Sequence, residues 1–315
     1  MIPQRPPTVS VIEPISPAFE KVKTILFSPF DLRKWFVIGF CAWLAYLGKG
    51  GGGGNGGGGG RGGRAPNIHE GIGQAKVFVL ENLAWIIPVA LIGVMLIIVI
   101  WLVLTWLSSR GRFMFLHCVA ENKAEVKVPW TKFQQHANSL FLFRIVLGLI
   151  GFAAIGLPLL LAGGLIAITI ANNGFVAAAV LGIIMIVLVI IAIAIAFAVI
   201  AKFTTDFVVP IMFLRTTNCI AGWREFLTLL SVNKARFALY ILFQIVIALA
   251  IGAIILTAVF VTCCCAACIL ALPYIGTVLM LPVLVFKRAY SLLYLGQFGP
   301  EFDVFRPETE MAIAG

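Results

Sequence analysis

FVAAAVLGIIMIVLVIIAIAIAFAVIA, residues 175–201, decides the fold. These 27 residues carry no charged side chain. As a helix rising ~1.5 Å per residue the stretch reaches ~40 Å, against ~30 Å for the hydrocarbon core of a bilayer. Inside lipid only a helix or a closed barrel satisfies every backbone group, and barrel strands are short and alternating. The stretch therefore reads as a transmembrane helix, and the rest of the chain as further spans and their connections.

Composition agrees. The 315 residues are 61% hydrophobic and 11% charged, while an ordinary soluble domain is ~25% charged. Too little polar surface remains to cover soluble domains, so the expected class is an all-α polytopic transmembrane bundle. Upstream, residues 145–171 are a second apolar run, joined to the first through the turn sequence Asn172-Asn173-Gly174. Residues 84–107 add a span edged by Trp85, Trp101 and Trp106. Downstream, 237–286 is uncharged over 50 residues, room for two spans divided near Cys263-Cys264-Cys265-Ala266-Ala267-Cys268. Pro273 and Pro282 predict a bend in the second of these. Residues 35–48 are apolar over only 14 positions. They are read as the first span, with a re-entrant segment as the alternative.

The expected organisation is a disordered proline-rich tail over 1–16, a six-span domain over 17–305 and a short tail over 306–315. Residues 49–67, KGGGGGNGGGGGRGGRAPN, read as a flexible coil between the first two spans. Six spans place both termini on one side. Of the 23 Lys and Arg residues, 19 fall on that side. Such bias predicts cytoplasmic termini in a cytoplasmic membrane, and it accounts for the net charge of +10 without nucleic acid.

Phe19, Val22, Leu26 and Phe30 share a helical face, so residues 17–30 are expected to lie as an amphipathic helix in the interface. Lys21, Lys23, Arg33 and Lys34, with Trp35, Trp130 and Trp223, are the residues expected to meet headgroups, anionic lipid being the partner. Residues 19–45, 130–154 and 223–250 repeat one theme: an aromatic start, an amphipathic helix and entry into a span.

The spans hold no charge between their ends, which argues against a charge-coupled pathway. Gln244 is their strongest polar group, with Thr169, Thr257 and Thr277 behind it. Lys202 and Asp206, four apart, read as a structural ion pair. Cys41, Cys118 and Cys219 read as isolated. In the cysteine-rich turn, Cys265 with Cys268, or Cys264 with Cys268, is a sterically easier disulfide, weighed against reduced packed thiols and against a metal. No metal, cofactor or catalytic constellation is expected. Gly148, Gly151, Gly156, Gly163 and Gly164, and alternate alanines from Ala192 to Ala198, are expected at close helix contacts.

Asp206-Phe-Val-Val-Pro-Ile-Met212, the cysteine turn with Leu272-Pro-Tyr-Ile-Gly276, and Arg288-Ala-Tyr-Ser-Leu-Leu-Tyr-Leu-Gly-Gln-Phe-Gly-Pro-Glu301 resemble a family of uncharacterised prokaryotic six-span membrane proteins. That family is distantly similar to the membrane domain attached to some glycerophosphodiester phosphodiesterases. This chain has no soluble phosphodiesterase domain. The function expected is a non-enzymatic membrane component that organises lipid or binds partner membrane proteins. The alternative is an uncoupled transporter or flippase for an amphiphile.

Overall fold

A computed structural model describes residues 9–47, 83–171, 176–262 and 265–305. The glycine-rich stretch, the Asn172-Asn173-Gly174 turn, Cys263, Cys264 and the 306–315 tail lie outside the described residues, as do the first eight positions.

All regular structure among the described residues is helical. Asp31 accepts from Arg33 N at 2.8 Å and starts α2 (Leu32–Tyr46) after α1 (Ile15–Leu26). Then come α3 (Leu83–Glu121), the short α4 (Lys127–Lys132), α5 (Gln134–Ala171) and α6 (Val176–Phe203). A π-helical turn, Thr204–Val208, carries α6 into α7 (Val209–Arg215). There follow α8 (Cys219–Val232), α9 (Lys234–Val261), α10 (Cys265–Ala271), α11 (Pro273–Leu279) and α12 (Leu281–Gly296). The helices α1, α4 and α8 precede α2, α5 and α9.

Among the described residues four stretches are long and apolar enough to cross a membrane: Trp85–Glu121, Gln134–Ile166, Val180–Arg215 and Lys234–Val261. The pair α11 and α12, bent by 62°, makes a fifth if it counts as one span. Pro273 and Pro282 start its two halves, which is the bend the prolines predict. The described helices thus fall short of six spans. The shortfall is α2, whose 15 residues reach only ~22 Å. Its buried face, with Ile38, Cys41, Ala42 and Ala45, packs against protein.

The second half of α3 is that protein. Residues 108–121 lie beyond the span expected over 84–107, yet they continue the helix. Ser108 Oγ donates to Ala45 O at 2.9 Å, and Lys34 Nζ donates to Asn122 Oδ1 at 2.8 Å. Between them Gly111 lies against the backbone of Leu44 and Ala45, and Cys118 Sγ lies 3.8 Å from Cys41 Sγ. The two helices therefore run antiparallel.

Two layers result. In one, α3, α5, α6 and α9 expose apolar side chains such as Trp85, Leu96, Phe152, Leu160, Leu188 and Phe260. In the other lies the packed core, built on Phe113, Phe207, Phe226, Phe237, Tyr240 and Tyr294. The described chain ends meet in that second layer. Ser10 N donates to Gln297 Oε1 at 2.7 Å, and Tyr290 Oη donates to Val11 O at 2.7 Å. α1 docks on α12 through Ala18, Val22, Ile25 and Leu26, leaving Phe19, Phe27 and Phe30 exposed.

Candidate functional site at the foot of the spans

The π-helical turn organises the polar residues. Pro210 has no N–H, so the carbonyls one turn before it lose their usual donor. The backbone widens there, with Val209 N donating to Thr204 O. A wide turn of this kind frequently marks a functional position. Arg288 Nη1, from α12, supplies the missing donor to Thr205 O at 2.6 Å. Arg112 Nη1, from α3, donates to Thr205 Oγ1 at 2.9 Å. One threonine thus ties three elements together.

One helical turn away in space is a closed ring of polar contacts. Lys202 Nζ lies 2.8 Å from Asp206 Oδ2. Tyr240 Oη donates to the same oxygen at 2.9 Å and accepts from Gln244 Nε2 at 3.0 Å. Lys202 Nζ reaches Gln244 Oε1 at 3.4 Å and closes the ring. The polar group in the fifth apolar run is therefore fully engaged. Thr169, Thr257 and Thr277 return their hydroxyls to the carbonyl four residues before, within their own helices.

The cations outnumber the anions. Arg110, Arg112 and Arg288 are buried and Arg144 is half-buried. Among the described residues no carboxylate lies within ion-pair distance of any of the four. Arg144 Nη1 is held by Thr105 O at 3.3 Å and Ser109 Oγ at 3.1 Å. Arg110 sits between two indoles, 4.4 Å from Trp106 and 4.7 Å from Trp130. Arg288 Nε and Nη2 are buried without a hydrogen-bond partner. Burying an ion costs several kcal/mol before compensation, so neutral oxygens and aromatic faces carry an unusual load here.

Two cavities touch these arginines. One of ≈20 Å³ is bounded by Tyr46, Arg112, Thr205 and Arg288. The other, of ≈280 Å³, opens between α3, α5 and α6. Arg112 and Arg144 line it together with Gly148, Gly151, Ile155 and Phe197.

The residues singled out for headgroup contact are distributed as follows. Lys21 Nζ lies 4.3 Å above the ring of Phe305, and Lys23 and Arg33 are exposed. Trp35 donates to Leu26 O at 2.7 Å and packs edge-on to Phe27 and Phe30. Trp223 is half-buried against Phe143 and Phe226. Cys268 is a free, exposed thiol. Among the described residues no three His, Cys, Asp or Glu side chains gather as a metal site. Of the span-three glycines expected at close contacts, Gly148 meets Trp101 and Gly151 meets Phe197, while Gly156, Gly163 and Gly164 have open space. Ala192, Ala194, Ala196 and Ala198 are exposed, as are Ile191 and Ile195 beside them, so among the described residues no helix packs closely there. Cys41 and Cys118 are neighbours across α2 and α3, which a separation of 77 residues conceals.

Lys202, Asp206 and Gln244 stand out in the sequence, whereas Arg110 and Arg112 fall just beyond the expected end of the span at Leu107. The available clue was Trp106 followed by Arg110, one turn apart on a continuing helix.

Residues 9–275 match the model of a family of unknown function (DUF7544). Comparison with curated proteins and with solved structures returned no match.

Proposed function

We propose, for a chain that belongs to this family of unknown function, a role as a multi-pass membrane component that organises anionic lipid at one face of the bilayer or binds partner membrane proteins there. One observation carries it. Buried and half-buried arginines without carboxylate partners gather directly below helices that expose apolar surface. Headgroup phosphates are the counter-charge available at that depth, and basic clusters near an anionic surface gain ~1 kcal/mol per charge.

The basic layer belongs on the cytoplasmic side of a cytoplasmic membrane. The contact of Ser10 with Gln297 supports an even number of traverses. The described helices offer four, or five with the bent pair taken as one span. In this reading the sixth begins with α2. A reporter after Gly315 is then cytoplasmic, and a tag within residues 50–60 is reached from outside. Labelling of that tag from the cytoplasm would remove the six-traverse reading.

The lipid role is tested in vesicles by energy transfer from the protein's tryptophans to a labelled phosphatidylglycerol or phosphatidylcholine. The expected outcome is several-fold stronger transfer to the anionic lipid, weakening with salt. Equal transfer to both lipids overturns it. The 62° break between α11 and α12 favours one second reading, an uncoupled transporter or flippase. Lipid flux in proteoliposomes discriminates it.

A further inference from the structure

We infer that the cleft between α3, α5 and α6 is a binding site for one anionic phospholipid, its phosphate on Arg112 and Arg144 and an acyl chain along Gly148, Gly151 and Phe197. This names a particular site within the lipid-organising role and rests on that reading.

The cleft has the two ends such a ligand needs. At one end are two guanidiniums. Arg112 is 6% exposed and uses Nη1 on Thr205 Oγ1. Arg144 uses Nη1 on Thr105 O and Ser109 Oγ. Each retains donors on its other nitrogens, and among the described residues neither has a carboxylate. Guanidinium pairs of this kind suit phosphate, since their planar forks match its oxygens. The remaining wall is apolar. Gly148 and Gly151 remove side chains where α5 faces Trp101 and Phe197, and Ile155 lines the cleft one turn further along α5.

Direction supports the same occupant. Arg144 lies at the polar foot of α5, and Gly148, Gly151 and Ile155 follow toward the exposed apolar half. A phosphate at the foot therefore aims its chain into the hydrocarbon. The ≈280 Å³ volume is at the lower edge of small-molecule sites, ~300 Å³. It seats a headgroup phosphate and the first methylenes, and the rest of the chain lies along exposed α5 and α6. The neighbouring guanidinium of Arg288, with two buried unpartnered nitrogens, adds positive potential behind Arg112.

The test uses the full chain, extracted in mild detergent from vesicles of equal phosphatidylglycerol and phosphatidylcholine, with retained lipid counted by native mass spectrometry. One retained phosphatidylglycerol per protein is expected, at least ~10-fold over phosphatidylcholine, and free inorganic phosphate does not displace it. Arg144→Gln and Gly151→Leu each lower retention about 10-fold. Gly151→Leu fills the groove and leaves every cation in place, so it separates this site from general surface attraction. A variant counts only if it elutes as wild type on size exclusion. Equal retention of the two lipids, displacement by inorganic phosphate, or retention unchanged in Gly151→Leu overturns the site. The salt-dependent preference in vesicles is untouched by Gly151→Leu, so failure of the cleft and failure of the lipid role give different results.

Discussion

The two halves of α3 share one helix and live in different solvents. From Trp85 to Val103 it exposes apolar side chains almost continuously, with Trp85, Val89, Ile92 and Ile97 each more than 60% exposed. From Ser108 to Val119 every residue is buried, Arg110 and Arg112 included. The comparison teaches where this fold keeps its core. In the first half lipid replaces the core and sequence is constrained only to be apolar. In the second half α2, α4, α7 and α12 close around the helix, and individual side chains and backbone contacts decide the packing.

Glycine substitutions test this difference most severely. A Cβ at Gly111 meets the backbone of Leu44 and Ala45, which has no rotamer by which to yield. Gly111→Ala is expected to cost about 3 kcal/mol, seen as earlier loss of the monodisperse peak on heating in detergent. At Gly156 nothing lies within 4 Å. Gly156→Ala is expected to be neutral or to stabilise by ~0.5 kcal/mol through helix propensity. Similar losses in both variants would show that the exposed half is packed as tightly as the buried one.

The polar ring is the next test. Tyr240 Oη serves Asp206 and Gln244 at once. Tyr240→Phe keeps the tilted ring contacts with Phe207 and Tyr294 but leaves two buried groups short of a partner. The expected loss is about 1–3 kcal/mol in the same heating assay. A neutral result would mean that water already enters the ring. Lys202 is 39% exposed, so its ion pair with Asp206 is screened and contributes less than its 2.8 Å separation suggests.

What the chain discloses before folding follows the same division. Runs such as 175–201 are legible because lipid imposes one rule on every residue. Pro273 and Pro282 announce the bend because proline acts locally. The core around α3 is not legible in this way. Ser108, Arg110 and Arg112 look like a connection when judged by polarity, and only α2 and the π turn turn them inward. Pro210 was visible in a familiar motif, yet its consequence depends on Arg288, 78 positions later. Cys41 and Cys118 look isolated for the same reason. The cleft is hidden further still, because glycines in an apolar run suggest only close helix packing, and at Gly148 and Gly151 that packing borders a groove whose polar end needs Arg112 from another helix.

The smallest expected effect lies at the rim of the basic layer and sharpens the contrast between buried and surface charge. Lys21, Lys23, Arg33 and Lys34 flank the exposed rings of Phe19, Phe27 and Phe30. Surface cations gain up to ~1 kcal/mol each near anionic lipid, and salt screens that gain over a Debye length of ~10 Å at 0.1 M. Two of the four are already engaged, Lys21 over Phe305 and Lys34 with Asn122. Their move to a headgroup forfeits those contacts, so the sum should fall well below four times the single value. Changing all four to glutamine is expected to lower the phosphatidylglycerol preference in vesicles by less than ~30-fold, about 2 kcal/mol, and to remove most of its salt dependence. Thermal stability should stay within ~0.5 kcal/mol, as for other surface changes. A loss of folding in the quadruple variant would place these four with the core rather than with the rim. An unchanged lipid preference would move the whole electrostatic contribution inward to Arg112, Arg144 and Arg288.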